Sequence, residues 1–144
     1  MEQSLHRKKI ATALLGAGIV VATAIGVAWA KDYKVTLSGD QEVPPVQTSA
    51  SGTGTISVGA DKSVSGSVTT KGINASAAHI HEAPKGKNGP VIVPLTKSGD
   101  NTWNVQSGAK LTDAQMQALE SGNLYVNVHS SANPNGEIRA QIGP

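Results

Sequence analysis

A strict alternation of apolar and polar residues marks the segment Leu124-Tyr-Val-Asn-Val-His129. Side chains two residues apart on a β-strand point to the same face, so this pattern predicts a strand with one face toward a core. Leu124, Val126 and Val128 form the face that we expect to be buried, whereas His129 belongs to the opposite, polar face.

Short segments of the same kind lie on both sides of this strand, at 33–37, 54–58, 64–68, 77–81, 91–95, 103–105 and 137–142. Turn-forming residues separate them, and the sequence Gly59-Ala-Asp-Lys62 suits a hairpin. Seven or eight short strands predict an all-β, antiparallel fold. Either a β-sandwich or a Greek-key barrel, of the immunoglobulin-like or the superoxide-dismutase-like kind, fits this count.

One short helix is predicted at 113–121. Thr112 and Gln115 have the spacing of a capping box, in which each side chain accepts a hydrogen bond from the backbone of the other residue. Leu111 and Met116 occupy the positions of a hydrophobic staple, and Gly122 supplies the left-handed conformation that ends many helices.

Composition limits the classes of protein to which the chain can belong. After residue 30 the chain has nine Lys and Arg against nine Asp and Glu, so this part is neutral and lacks the basic surface that nucleic-acid binding needs. The chain has no cysteine, which excludes disulfides, iron–sulfur clusters, thiol catalysis and cysteine-based zinc sites. We expect residues 31–144 to form a single domain.

The first thirty residues have the pattern of a secretory signal peptide. The basic residues Arg7, Lys8 and Lys9 precede an uncharged stretch that ends in Ala28-Trp-Ala30, a small-x-small step that signal peptidases favour. Cleavage after Ala30 is one interpretation, and an uncleaved N-terminal anchor is the other. Either predicts a periplasmic or secreted (extracellular) domain, with membrane contact only through an uncleaved leader.

Three histidines are the candidate functional residues. His79 and His81 share one face of a predicted strand, with Ile80 on the other, and His129 lies on the face opposite Val126 and Val128. If the two strands are neighbours, the three imidazoles converge on the outer face.

Three imidazoles without a thiolate suit a copper or zinc ion, with a fourth position for water or a carboxylate. Glu82 and Glu137 are the nearest carboxylates in sequence. The alternative is structural, because histidines at strand ends also hydrogen-bond loop carbonyls. A weak internal sequence repeat supports two similar hairpins, since His81 precedes Asn88-Gly89 and His129 precedes Asn135-Gly136.

Enzymatic signatures are not evident. The chain contains no Gly-x-Ser-x-Gly elbow, phosphate-binding loop or pair of carboxylates suited to acid–base catalysis. Glu137 and Arg139 share one face of the last predicted strand, where we expect an ion pair with each other or with neighbours. The chain is therefore predicted to be a non-enzyme, with no catalytic residues and no cofactor beyond a metal ion.

Five motifs, in this order, are similar to those of the chordin-type (CHRD) domain: Leu37-Ser-Gly-Asp-Gln-Glu-Val-Pro-Pro45, Ala78-His-Ile-His81, Asn88-Gly-Pro-Val91, Gly122-Asn-Leu-Tyr-Val-Asn-Val-His129 and Asn133-Pro-Asn-Gly-Glu-Ile-Arg139. The resemblance covers about 33–142. It implies a secreted, β-rich domain that occurs alone in bacteria and as repeats in the growth-factor antagonist chordin, without an agreed activity. The His-x-His strand is also similar to the copper strand of Cu/Zn superoxide dismutase, although the disulfide and bridging histidine of that enzyme are missing.

Three functions from different classes follow as hypotheses. The first, which the sequence favours, is an exported, non-enzymatic binding module for a protein or small ligand, which acts through its loops and histidine face. The second is a metal-handling protein of the cell envelope that binds copper or zinc through His79, His81 and His129. The third is a small metalloenzyme, which would need an open coordination position and a substrate pocket.

Overall fold

The computed structural model describes residues 29–144, so the predicted leader lies almost entirely outside the described residues. Eight antiparallel strands occur in chain order as β1 (Lys31–Ser38), β2 (Ser51–Val58), β3 (Val64–Lys71), β4 (Ala75–Glu82), β5 (Val91–Lys97), β6 (Thr102–Val105), β7 (Leu124–Ser130) and β8 (Ile138–Ile142). A short 3-10 helix, Gly39–Gln41, follows β1, and the helix α1 spans Asp113–Glu120. Within residues 29–144, no helix is long and apolar enough to cross a membrane.

The strands form a closed barrel in the order β1-β2-β3-β6-β5-β4-β7-β8. Closure occurs where Ser38 of β1 pairs with Arg139 of β8. The prediction of an all-β, antiparallel fold with one short helix is confirmed. The sandwich and immunoglobulin-like alternatives are corrected, because pairing of the first and last strands joins the sheet into one closed barrel.

Alternating side chains of the strands fill the barrel interior. Ile80, Val126 and Val128 are buried there, as their position on the apolar face predicted. The β2–β3 hairpin turns through the predicted link, where Lys62 N–H donates to Gly59 O at 2.9 Å. The proline-containing segment 42–46 belongs to no strand and lies in the long connection between β1 and β2.

The helix α1 begins with the predicted capping box. Thr112 Oγ1 accepts a hydrogen bond from Gln115 N–H at 3.1 Å, and Gln115 Oε1 accepts one from Thr112 N–H at 2.8 Å. Gly122 has the positive φ of 72° expected at the helix end, although α1 ends one residue before the predicted position 121.

We expect Thr112→Ala to lower the free energy of unfolding by about 1 kcal/mol, because the change removes the side-chain acceptor at the N-terminus of α1. Chemical denaturation of wild type and variant measures the difference. Thr112→Ser keeps the hydroxyl and should retain most of the stability. A loss of several kcal/mol for the alanine variant would contradict a purely local capping role.

Candidate metal site

The strands β4 and β7 are neighbours in the barrel, as the convergence of the histidines required. His79 pairs with Asn127, His81 with Tyr125, and Ala77 with His129. The three imidazoles therefore lie together on the outer face, with one ring nitrogen from each residue within 4.8 Å of the others.

Two backbone carbonyls fix the protonation pattern of this three-histidine cluster. His81 Nδ1 lies 3.0 Å from Gly89 O, and His129 Nδ1 lies 2.9 Å from Pro134 O. A carbonyl oxygen can only accept, so each Nδ1 carries the proton and donates it. In the neutral imidazoles, the Nε2 atoms of His81 and His129 then carry no proton. Each keeps the lone pair with which an imidazole binds a metal.

The third histidine completes a hydrogen bond within the cluster. His79 Nδ1 lies 3.0 Å from His129 Nε2, and because this Nε2 is the acceptor, His79 Nδ1 is the donor. Two nitrogens bound to one zinc ion at about 2.0–2.1 Å lie about 3.3 Å apart at a tetrahedral angle. A metal ion could therefore replace the proton between His79 and His129 with a small opening of the pair.

In both Asn-Gly loops, a backbone carbonyl accepts a hydrogen bond from the histidine that precedes the loop. Gly89 belongs to the loop after β4, and Pro134 lies two residues before Gly136 in the loop after β7. The internal sequence repeat thus corresponds to two loops with the same kind of hydrogen bond to a histidine. The structural interpretation of the histidines is correct for His81 and His129, and it is compatible with metal binding because metal-ligating histidines commonly donate the second ring N–H to a carbonyl.

Burial lowers the pKa values of His79 and His81. Loss of hydration is the main cause for both residues, and the neighbouring imidazoles lower the pKa further. Both rings are consequently neutral at pH 7, which leaves a nitrogen lone pair on each for a metal ion. The Nε2 of His81 is buried and has no hydrogen-bond partner among residues 29–144, an unusual condition that a bound metal would relieve.

The predicted outward direction of the histidines is correct, but the outer face at this point is not exposed. His81 is only 7% exposed, because loops cover the β4–β7 face of the barrel. Tyr125 stacks on His81 with ring centroids 4.8 Å apart and the rings nearly parallel, at 6°. Arg139, 1% exposed, places its guanidinium carbon 3.5 Å from the centroid of the Tyr125 ring.

A buried polar layer therefore lies between the barrel wall and its covering loops; we use this name for Glu42, Tyr125, Asn127 and Arg139. Asn88 joins the loops above it, since its amide donates to Val43 O at 2.6 Å and its Oδ1 accepts from Arg139 at 3.2 Å. The alternation in 124–129 puts Tyr125 and Asn127 on the polar face of the strand, beside His129. Alternation alone does not show that loops cover that face, so this layer could not be predicted from the sequence.

Glu42 is the acidic member of the layer, and it is 4% exposed. Burial raises the pKa of its carboxyl group to about 7, against the opposing effects of the Arg139 guanidinium and the Asn127 amide. Gly136 packs closely here: a Cβ at this position would lie 2.6 Å from Glu42 Oε1 and 2.5 Å from Asn127 Nδ2. Only glycine permits the loop after β7 to approach the layer so closely.

The expected ion pair of Glu137 and Arg139 is wrong. Glu137 accepts hydrogen bonds from Thr48 Oγ1, at 2.7 Å, and from Ser130 Oγ. Arg139 donates to neutral oxygens and stacks on Tyr125, and among residues 29–144 the salt bridge that forms is Lys62–Asp113. In the described part of the chain, neither Glu82 nor Glu137 belongs to the group of potential metal ligands.

Fold and site together define the class: a closed, eight-stranded antiparallel barrel that carries three converging histidines beneath covering loops. The family model of the CHRD domain matches residues 33–142, and the chain belongs to the CHRD domain family. The match covers nearly all of the barrel, as the similarity of the motifs predicted. No curated protein and no solved structure matches the chain.

Proposed function

We propose that this chain is an exported, non-enzymatic binding module that holds a transition-metal ion at His79, His81 and His129. The observation that carries the proposal is the oriented set of imidazoles. Two carbonyls hold the Nδ1 protons of His81 and His129, so that the Nε2 atoms of both residues carry lone pairs. The lone pair of His129 accepts a hydrogen bond from His79, and that of His81 is buried without a partner among residues 29–144.

Copper and zinc are the ions that this ligand set favours. Imidazole nitrogen binds both metals well, whereas magnesium and calcium prefer oxygen. Three protein ligands leave a further coordination position for water. The proposed role is to bind and carry the ion in the cell envelope or outside the cell.

A binding module without a metal is the second candidate. A cavity of about 290 Å³ lies between the segment 42–46 and the loop 132–136, beside the buried polar layer. This cavity would place a small ligand, or a side chain of a protein partner, against the loop that carries Pro134. The histidines would then serve only to hold the loops.

Metal titration separates the two candidates. We expect the purified protein to bind one Cu(II) or Zn(II) ion and to gain about 2.7 kcal/mol of stability at a free metal concentration 100 times the Kd, because the ion binds only the folded state. The gain, measured as a shift in Tm, should disappear in acid, where protons compete with the metal for the imidazole nitrogens.

The double variant His79→Ala/His129→Ala should lose both the binding and the gain in Tm. The gain is measured against the Tm of the same variant without metal. This reference is needed because the loss of His129 also leaves Pro134 O without its hydrogen-bond donor. Asn104→Ala, an exposed polar change on β6, should bind metal like the wild type. Unchanged metal affinity in the folded double variant would contradict the proposed site and favour the second candidate.

Export is a separate part of the proposal. If a signal peptidase cleaves after Ala30, mass spectrometry of protein from the periplasm or medium should give a mature N-terminus at Lys31. Cytoplasmic protein of full length would contradict export. Membrane-bound protein of full length would replace the signal peptide with the anchor.

A further inference from the structure

The three-histidine cluster lies in an electrostatic environment that is unfavourable for a divalent ion. All three candidate ligands are neutral imidazoles, and in residues 29–144 no carboxylate oxygen joins them in the ligand group. A divalent ion bound there would keep its full double charge, since no ligand is anionic.

A buried cation lies behind one of the ligands. The Arg139 guanidinium stacks on one ring face of Tyr125, and Tyr125 stacks in turn on His81. Arg139 is almost completely buried and takes part in no salt bridge within the described residues. The stack places the guanidinium behind the face of His81 that Tyr125 covers, so its positive charge opposes a second positive charge bound at this ring.

The acid of the buried polar layer offsets this charge only in part. Burial keeps the Glu42 carboxyl group partly protonated near neutral pH, so its negative charge is incomplete. Within residues 29–144 no carboxylate belongs to the ligand group, whereas the Arg139 guanidinium lies behind Tyr125 and His81 in the stack. The field at the cluster is therefore positive.

The valence of the ion decides how strongly this field opposes binding. Repulsion from a fixed cation grows in proportion to the charge of the ion, and the loss of hydration on burial grows more steeply still. A univalent ion that accepts imidazole ligands avoids most of both costs. Copper is the imidazole-binding metal that has such a state.

We infer that the cluster selects copper in its univalent state, Cu(I), over Cu(II) and Zn(II). The inference rests on the proposed function, because it names the ion of the same site. It assigns to Arg139 the role of a positioning residue that sets the preferred charge without contacting the metal.

Competition titrations test the selectivity. Under anaerobic conditions, bathocuproine disulfonate competes for Cu(I), and nitrilotriacetate competes for Cu(II) and Zn(II) in parallel samples of the same protein. We expect the Kd for Cu(I) to be at least about tenfold lower than the Kd for either divalent ion. An equal or tighter affinity for Cu(II) or Zn(II) would overturn the inference and leave the proposed metal site intact. Binding of none of the three ions would overturn both.

Charge variants at Arg139 separate its electrostatic effect from its structural one. Arg139→Gln should lower the preference for Cu(I) over Cu(II) about tenfold, whereas Arg139→Lys, which keeps the charge, should retain it. Lys62→Gln removes a cation that pairs with Asp113 and should leave the preference unchanged. Equal preferences in folded Arg139→Gln and Arg139→Lys would contradict the role of the guanidinium. If Arg139→Gln does not fold, the ratio of the Kd values for Cu(I) and the divalent ions in the wild type still decides the selectivity.

Discussion

Replacing Ile80 by alanine is expected to lower the free energy of unfolding by about 2–5 kcal/mol, the range for a large-to-small change in a packed core. Ile80 is 1% exposed and lies inside the barrel between its partners Val93 of β5 and Val126 of β7. The substitution would open a cavity at the centre of the wall that carries the histidines. Urea or thermal denaturation of the apo protein measures the loss.

Val91→Ala is the matched control for this change. Val91 begins the neighbouring strand β5 but is 50% exposed, so its truncation should alter stability by about 0.5 kcal/mol or less. If Ile80→Ala were no more harmful than Val91→Ala, the side chain of Ile80 could not be buried in the barrel.

The second large effect is expected for Glu42→Gln, as a change in the pH dependence of stability. The Glu42 carboxyl group has a pKa of about 7 in the folded protein, against an ordinary value of 4.5. The folded state therefore binds this proton more tightly than the unfolded state does. The resulting stabilisation is complete below pH 4.5 and is lost as the pH rises through 7.

Glutamine is nearly isosteric with glutamic acid but does not ionise, so the variant avoids this loss. The free energy of unfolding of Glu42→Gln, relative to wild type, should rise by about 3 kcal/mol between pH 4 and pH 8. The histidines titrate in both proteins, and their contribution cancels in the difference. Denaturation curves across this range measure it.

Glu120→Gln, at an exposed carboxylate near the end of α1, is the control and should alter stability by about 0.5 kcal/mol or less. A pH-independent difference between wild type and Glu42→Gln would contradict a raised pKa for Glu42. A difference of the opposite sign, in which wild type gains stability as the pH rises, would mean that Arg139 holds Glu42 ionised despite its burial.

The local elements and the barrel's inner face could be predicted from the sequence because their causes lie within a few residues. Alternation placed Ile80, Val126 and Val128 inside, and the capping box with Gly122 placed α1 to within one residue. The same alternation placed His79, His81 and His129 on the outer face. Each of these properties depends on the geometry of one strand or one turn, which neighbouring side chains specify directly.

Only the tertiary structure decided how these elements meet. The pairing of β8 with β1 closes the barrel, and nothing in either strand alone distinguishes a closed sheet from the edges of a sandwich. Burial of the outer polar face depends on loops from distant parts of the chain, so Arg139 could be stacked on Tyr125 instead of paired with Glu137. Periodicity along a strand determines which way a side chain points, whereas the elements that cover it determine whether water or another side chain lies there.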